Sequence, residues 1–332
     1  MTATAAAQDL DLLVIGDCNP DVVVVGADVT PAFGQQEKLV SAISLVVGGS
    51  ASIMAVAAAR LGLRVALVAA VGADPAGDFM LRQLAAEGVD TSGMVIRPDL
   101  ATAITVVLSQ ASDRAILTAV GAMPTLSAED VPAHLLARVR HLHVSSYFLL
   151  ERSLGPGLAG LFRAARSSGI TTSLDTNWDP AERWGDGQLR AVLANTDVLM
   201  PNEAEALSIS GTTDIADAVR ALTAAGPALV LKLGSEGVLS ADGSQWHQAG
   251  PPAALDGPLV DATGAGDCCD AGVVAGLLRG MDLAAAAGLG CAVGSASTRA
   301  AGGTGARTDL TTALALAETV AIRPARDDKP DL

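Results

Sequence analysis

From residue 142 onward, short apolar runs of strand character take turns with longer runs of helical character, and few folds accommodate that rhythm. Strands are predicted over 142–144, 171–174, 198–200 and 228–233, with helices near 158–168, 189–194 and 215–225 between them. Further helices are predicted to begin near Gly264, Leu283 and Leu310. Neighbouring parallel strands need a long crossover, which a helix supplies, so strict alternation implies a parallel sheet covered on both faces.

The N-terminal part breaks the rhythm. Strand-like runs at 12–15, 22–25 and 43–47 crowd together, followed by a helix over 50–61, a strand over 64–69 and a helix over 77–87 stopped by Gly88. Two more strands, 104–108 and 114–118, flank a polar turn from Ser109 to Asp113. These early strands predict a separate small sheet built from two insertions, about 20–47 and 101–120, within a single domain spanning 1–332. The tail after Ile322 reads as loose.

Composition sets the chemistry of the interior and of the partners. Half the residues are hydrophobic but only 2% are aromatic, so Ala, Val and Leu must build the core. A net charge of −15, from 36 acidic and 21 basic residues, argues against nucleic acid and anionic membrane as partners, which need clustered Lys and Arg. It does not prevent nucleotide binding, since backbone amides and a magnesium ion neutralise phosphates locally. The uncharged run 39–59 is long enough to span a bilayer, but it carries Ser41, Ser44, Ser50 and Ser52 with a Gly48-Gly49 break, so no membrane span is expected. The N-terminus lacks the basic start of a signal peptide, and four cysteines without a CxxC pair suit a reducing cytoplasm and no zinc site.

The most informative segment is Asp261-Ala-Thr-Gly-Ala-Gly-Asp267, which opens an apolar helix. Gly264 and Gly266 allow close backbone approach, and unpaired N–H groups at a helix start attract an anion. Asp267 at that edge can accept a proton from a hydroxyl; equally, it can be a simple N-terminal charge on a Gly-rich helix start. The spacing fits neither GxGxxG nor GxxxxGK[ST]. Asn202 and Glu205 have the spacing of a helix-capping box. His141 and His143 fall on one strand face, a spacing open to a metal or to a structural role. Trp178, Trp184 and Trp246 can stack on a ring or cover the core edge.

The 261–267 segment resembles the DTGAGD signature of the PfkB (ribokinase-like) carbohydrate and nucleoside kinases. Gly48 to Gly62 is similar to that family's di-glycine signature, and Val71 to Phe79, Glu87 to Thr91, Pro201 to Glu205 and Lys232 to Val238 recur in it in the same order. The resemblance runs from about Leu12 to Thr319. It implies a three-layer α/β/α domain with a mostly parallel sheet and a small β-sheet lid, which in the family often pairs two subunits into a homodimer.

Carried onto this chain, the resemblance makes Asp267 the catalytic base and the amides of Gly264, Ala265 and Gly266 an anion hole. It places Lys232, Gly234, Gly237, Asn202 and Thr263 at ATP, with the backbone of Gly234 a better contact than Lys232. It assigns Asn202 and Glu205 to magnesium through water, and Asp261 with the loop 300–305 to a monovalent cation such as K+. Asn19 and Asp21, with Gly48 and Gly49, match residues that grip sugar hydroxyls, although Asn19-Pro20-Asp21 is also ordinary turn chemistry.

Two departures bear on the acceptor. Ile53 stands where many sugar-using relatives have a hydroxyl-binding Asn, so either the acceptor presents an apolar edge or Ser52 shifts to compensate. Asp175 to Trp184 resembles a D-x-N-x-R segment, with Asp179 where an Arg would meet a substrate carboxylate, which disfavours an anionic acceptor. The expected activity is magnesium- and ATP-dependent phosphorylation of a hydroxymethyl group on a small neutral sugar. The alternatives are a nucleoside kinase on the same fold and an idle sugar-binding protein.

Overall fold

The computed structural model describes residues 8–110, 113–185, 187–243 and 245–325. In chain order its strands are β1 (Leu12–Ile15), β2 (Asn19–Val25), β3 (Ala42–Gly48), β4 (Val65–Val68), β5 (Ala70–Gly72), β6 (Val95–Arg97), β7 (Ile104–Gln110) and β8 (Asp113–Ala119). They continue with β9 (His141–Val144), β10 (Thr171–Leu174), β11 (Val198–Leu199), β12 (Ala228–Lys232), β13 (Val238–Asp242), β14 (Gln245–Ala249) and β15 (Ile322–Ala325).

Nine strands form the main sheet in the order β15-β14-β13-β12-β11-β10-β9-β1-β4. From β4 to β12 all pairs are parallel, as alternation demands. Side chains alternate across the pleat: Leu12 and Val14 face the helices Ser50–Arg60, Ala265–Leu278 and Leu283–Ser297, while Leu13 and Ile15 face Gly155–Ser167, Gly187–Leu193 and Ile215–Ala224. The sheet is thus buried on both sides. Small residues let the covering helices approach closely: a Cβ on Gly272 would lie 2.7 Å from the Gly290 Cα. The run 39–59 is therefore β3, a glycine corner and a buried helix, and no described helix is long and apolar enough to cross a membrane.

The sheet continues past β12 in the opposite sense, because β13, β14 and β15 are antiparallel. The sheet is thus mostly parallel, as expected, whereas 323–325, read as part of a loose tail, belong to β15; the remainder of that tail lies outside the described residues. β14 (QWHQA) has no apolar run, and β15 (IRPA) contains Pro324, which only an edge strand tolerates.

The expected second sheet is present, in the order β3-β2-β7-β8, with β2 and β7 parallel and the outer pairs antiparallel. Its strands run to Gln110 and from Asp113, longer than the sequence suggested, and the two residues between them lie outside the described ones. The Thr105 hydroxyl joins the strands, accepting from Asn19 Nδ2 at 3.1 Å and meeting the Thr118 hydroxyl at 3.1 Å.

Candidate active site

The carboxyl ends of β1, β10 and β12 deliver Asp17, Asp175 and Lys232 to one place, where an open parallel sheet receives ligands. The helix Ala265–Leu278 starts at the same place. Its cap, Gly264, has φ 72°, and a Cβ there would lie 2.6 Å from the Gly303 Cα, so only glycine fits this corner. Asp267 stands in the first turn, 8% exposed, hydrogen-bonded to the Ser50 side chain. Burial raises its carboxyl to about 7, Asp175 and Asp17 add to the rise, and Lys232 and Ser50 oppose it.

Lys232 corrects one expectation. Its Nζ donates to Asp175 Oδ2 at 2.9 Å and to both Asp270 oxygens at 3.1 and 3.2 Å, so its charge is taken up by carboxylates rather than held free for a nucleotide. Asp175, Asp267 and Asp270 each offer an oxygen within 4.8 Å of the others. Burial pushes Asp270 well above the carboxylate range, and its side chain is bonded to Asp175, whose own value Lys232 holds down against burial. The sequence reading missed Asp270, although it lies one helical turn beyond Asp267 on the same face.

Asn202 and Glu205 form the capping box in full. Asn202 Oδ1 accepts from the Glu205 amide at 2.9 Å, and Glu205 accepts from the Asn202 amide at 3.0 Å and from Asn202 Nδ2. Burial lifts Glu205 to about 7, with Asp175 adding and Lys232 opposing. Both carboxyl oxygens are engaged, so the pair fits a magnesium ion held through water better than one bound directly.

Around the acceptor side, Asn19 and Asp21 are buried and bonded to each other at 2.9 Å. The di-glycine corner makes room for them: a Cβ on Gly48 would overlap the Asp21 carboxylate, and one on Gly49 would lie 3.0 Å from Asn19 Oδ1. Asp17, which the sequence reading did not single out, accepts from the Ser50 and Ala51 amides at 3.0 Å each and so fixes the start of Ser50–Arg60. Asn177 Nδ2 donates to Ser50 Oγ and Ser146 Oγ, both at 3.2 Å, which brings it beside Asp267.

Three expectations about the acceptor change. Ile53 is 3% exposed and packs against Gly264 and Gly303, so it supports the glycine corner and presents no edge to a substrate. Ser52 is also buried, donating to the Asp17 carbonyl at 3.3 Å, and does not stand in for an Asn. Asp179 accepts from the amides of Ala181, Arg183 and Trp184 at 2.7 to 2.9 Å, so its charge caps a turn and does not repel an acceptor.

Asp261 pins two loops together. Its Oδ1 accepts from the Thr263 amide and hydroxyl, and its Oδ2 from the Gly302 amide at 2.8 Å. Thr263 thus works within the loop, and it does not line the cavity described below. His141 and His143 hold no metal: Thr171, His141, Ser173, His143 and Ser145 form one buried chain of contacts from 2.7 to 2.9 Å that engages all four ring nitrogens. Trp178 is 47% exposed and meets Trp184 edge-on at 4.6 Å, whereas Trp246 is buried at the core edge beneath Arg220.

A cavity of about 430 Å³ opens beside Asp267, between the turn after β12 and the start of Ala265–Leu278. Gly234, Gly237, Ala265 and Gly266 border it, as expected for a nucleotide, together with Lys232, Thr298 and Arg299.

Comparisons with known proteins agree with this arrangement. A cytidine kinase of Thermococcus kodakarensis is 29% identical over 280 residues, 82% of this chain and 91% of its own. A fructokinase of Klebsiella pneumoniae is 35% identical over 242 residues, 69% of this chain and 76% of its own. The fold matches Arabidopsis thaliana ribokinase complexed with ribose and ATP, with TM-score 0.76, 21% identity and coverage of 94% of this chain and 99% of that one. The model of the pfkB family carbohydrate kinases matches residues 9–309, and the chain belongs to that family of phosphotransferases.

Proposed function

We propose that this kinase transfers the terminal phosphoryl group of magnesium-bound ATP to a hydroxymethyl group of a small neutral sugar, since the buried carboxylates Asp17, Asp21, Asp175 and Asp267 around the acceptor side disfavour an anion. The observation that carries this reading is the placement of Asp267 in the first turn of a helix whose Ala265 and Gly266 border the cavity. Asp267 takes the proton of the acceptor hydroxyl, a role worth roughly 10²–10⁴ in rate. The Gly264, Ala265 and Gly266 amides face the charge that builds on the transferring group, and fixed donors stabilise it without reorganising.

Asn19, Asp21 and Asn177 supply paired donors and acceptors for adjacent hydroxyls. Gly234 and Gly237 hold the nucleotide, which brings its magnesium, and Glu205 steadies that ion through water. Asp261 and the glycine loop favour a monovalent cation. The second sheet closes over the acceptor and excludes water. Four buried free cysteines suit a cytoplasmic setting. The exposed Trp178 next to Asn177 supports a second reading, a nucleoside whose base rests on the indole.

The test is an ADP-release screen over neutral pentoses, hexoses and nucleosides, run in sodium, potassium and caesium buffers. Turnover is expected with one acceptor class, fastest in potassium, and lost in Asp267→Asn while ATP binding persists. Retained turnover in that variant removes the base assignment, and equal rates in the three salts remove the cation site.

A further inference from the structure

Two cations border the cavity, and they differ in one respect. Lys232 is matched by Asp175 and Asp270. Arg299 is not matched: its Nε is buried without a hydrogen-bond partner, and among the described residues no carboxylate pairs with its guanidinium. Its backbone is well fixed, since the preceding Thr298 carbonyl accepts from the Val260 and Asp261 amides at 2.8 and 3.2 Å. None of the residues lining the cavity is acidic, in a chain with 36 acidic and 21 basic residues.

Arg299 is half-buried, and a guanidinium cannot shed its charge by losing its proton, so one without a carboxylate partner is available to an acceptor. Its fork of donors matches phosphate oxygens, and the remaining lining is glycine backbone, apolar side chains, thiols and hydroxyls that leave the charge unopposed. We propose that Arg299 binds the phosphates of the nucleoside triphosphate. The identity of the occupant rests on the kinase reading; the unmatched charge does not.

Binding of MgATP, adenosine and inorganic tripolyphosphate to the wild type, Arg299→Met and Arg299→Lys, followed by calorimetry, tests this. Arg299→Met is expected to weaken MgATP and tripolyphosphate about tenfold or more, with adenosine unchanged and Arg299→Lys intermediate. Because the side chain has no protein partner, the thermal midpoint of Arg299→Met should not fall. MgATP affinity within twofold of wild type overturns the proposal, as does an equal loss for adenosine, which would put the guanidinium on the base or ribose. Wild type that binds no nucleotide sinks the kinase reading itself, a different outcome from tight MgATP binding that Arg299→Met leaves intact.

Discussion

Asp267, the proposed base, has its affinity for a proton set by burial and a few neighbours: Asp175, Lys232 and Asp17 from the strand ends, and the Ser50 hydroxyl. The one cation among them works against burial. In Lys232→Met that opposition is gone, so the Asp267 carboxyl titrates higher, and the ionised, active form appears only at higher pH. The acidic limb of kcat against pH, expected near 7 in the wild type, should move up by about one unit or more, and Lys232→Arg should restore it. An unmoved limb would separate Lys232 from the base. Much of this site was legible in the sequence where its parts are contiguous, as in the glycine corner and Asp267. Asp17, Asp175 and Lys232 come from three separate strands, and nothing local in the chain announces that they meet. Asp270 was the exception, since a carboxylate three residues past the base, on a helix already recognised, shares its face.

Between β9 and β10 the buried hydroxyls and imidazoles have only one consistent order. Thr171 donates to the Arg140 carbonyl, so it accepts from His141 Nδ1; Ser173 then donates to His141 Nε2 and accepts from His143 Nδ1, and Ser145 donates to His143 Nε2. Both rings are neutral: burial lowers His141 to about 3, with His143 adding, and lowers His143 to about 4 against the pull of Asp175. A histidine depressed in the folded state stabilises it above the unfolded value of about 6.5, and that contribution fades as pH falls toward the folded values. His143→Phe leaves the Ser145 hydroxyl without its acceptor and removes one of the two contacts of Ser173, and should cost about 1–3 kcal/mol in urea unfolding at pH 7.5. It should also flatten the loss of stability between pH 6.5 and 4. Unchanged unfolding would show that water replaces the ring. Periodicity found this pair of strands but not its polar chain, and it missed β13 to β15 because these short strands, VLSAD, QWHQA and IRPA, carry little or no apolar run.

For the molecule as a whole, the second sheet leaves Ile43, Leu45 and Leu117 exposed on one face, an apolar patch rather than scattered single residues. Pairing of two copies through this sheet would cover it. Sedimentation should give a dimer for the wild type and a monomer for Leu45→Glu with Leu117→Glu, with the main sheet still folded by circular dichroism. A monomeric wild type at micromolar concentration would discard the pairing.

Gly49 is the single residue between β3 and the helix Ser50–Arg60, and Ser50 touches Asp267 through its side chain and Asp17 through its amide. If the outer sheet closes as proposed, its movement would pull on Gly49, next to the Ser50 that meets Asp267, much as a latch is drawn by the door it belongs to. With no acceptor to hold that door shut, the proposed base would be left out of true, and ATP should survive in the enzyme's presence with little hydrolysis.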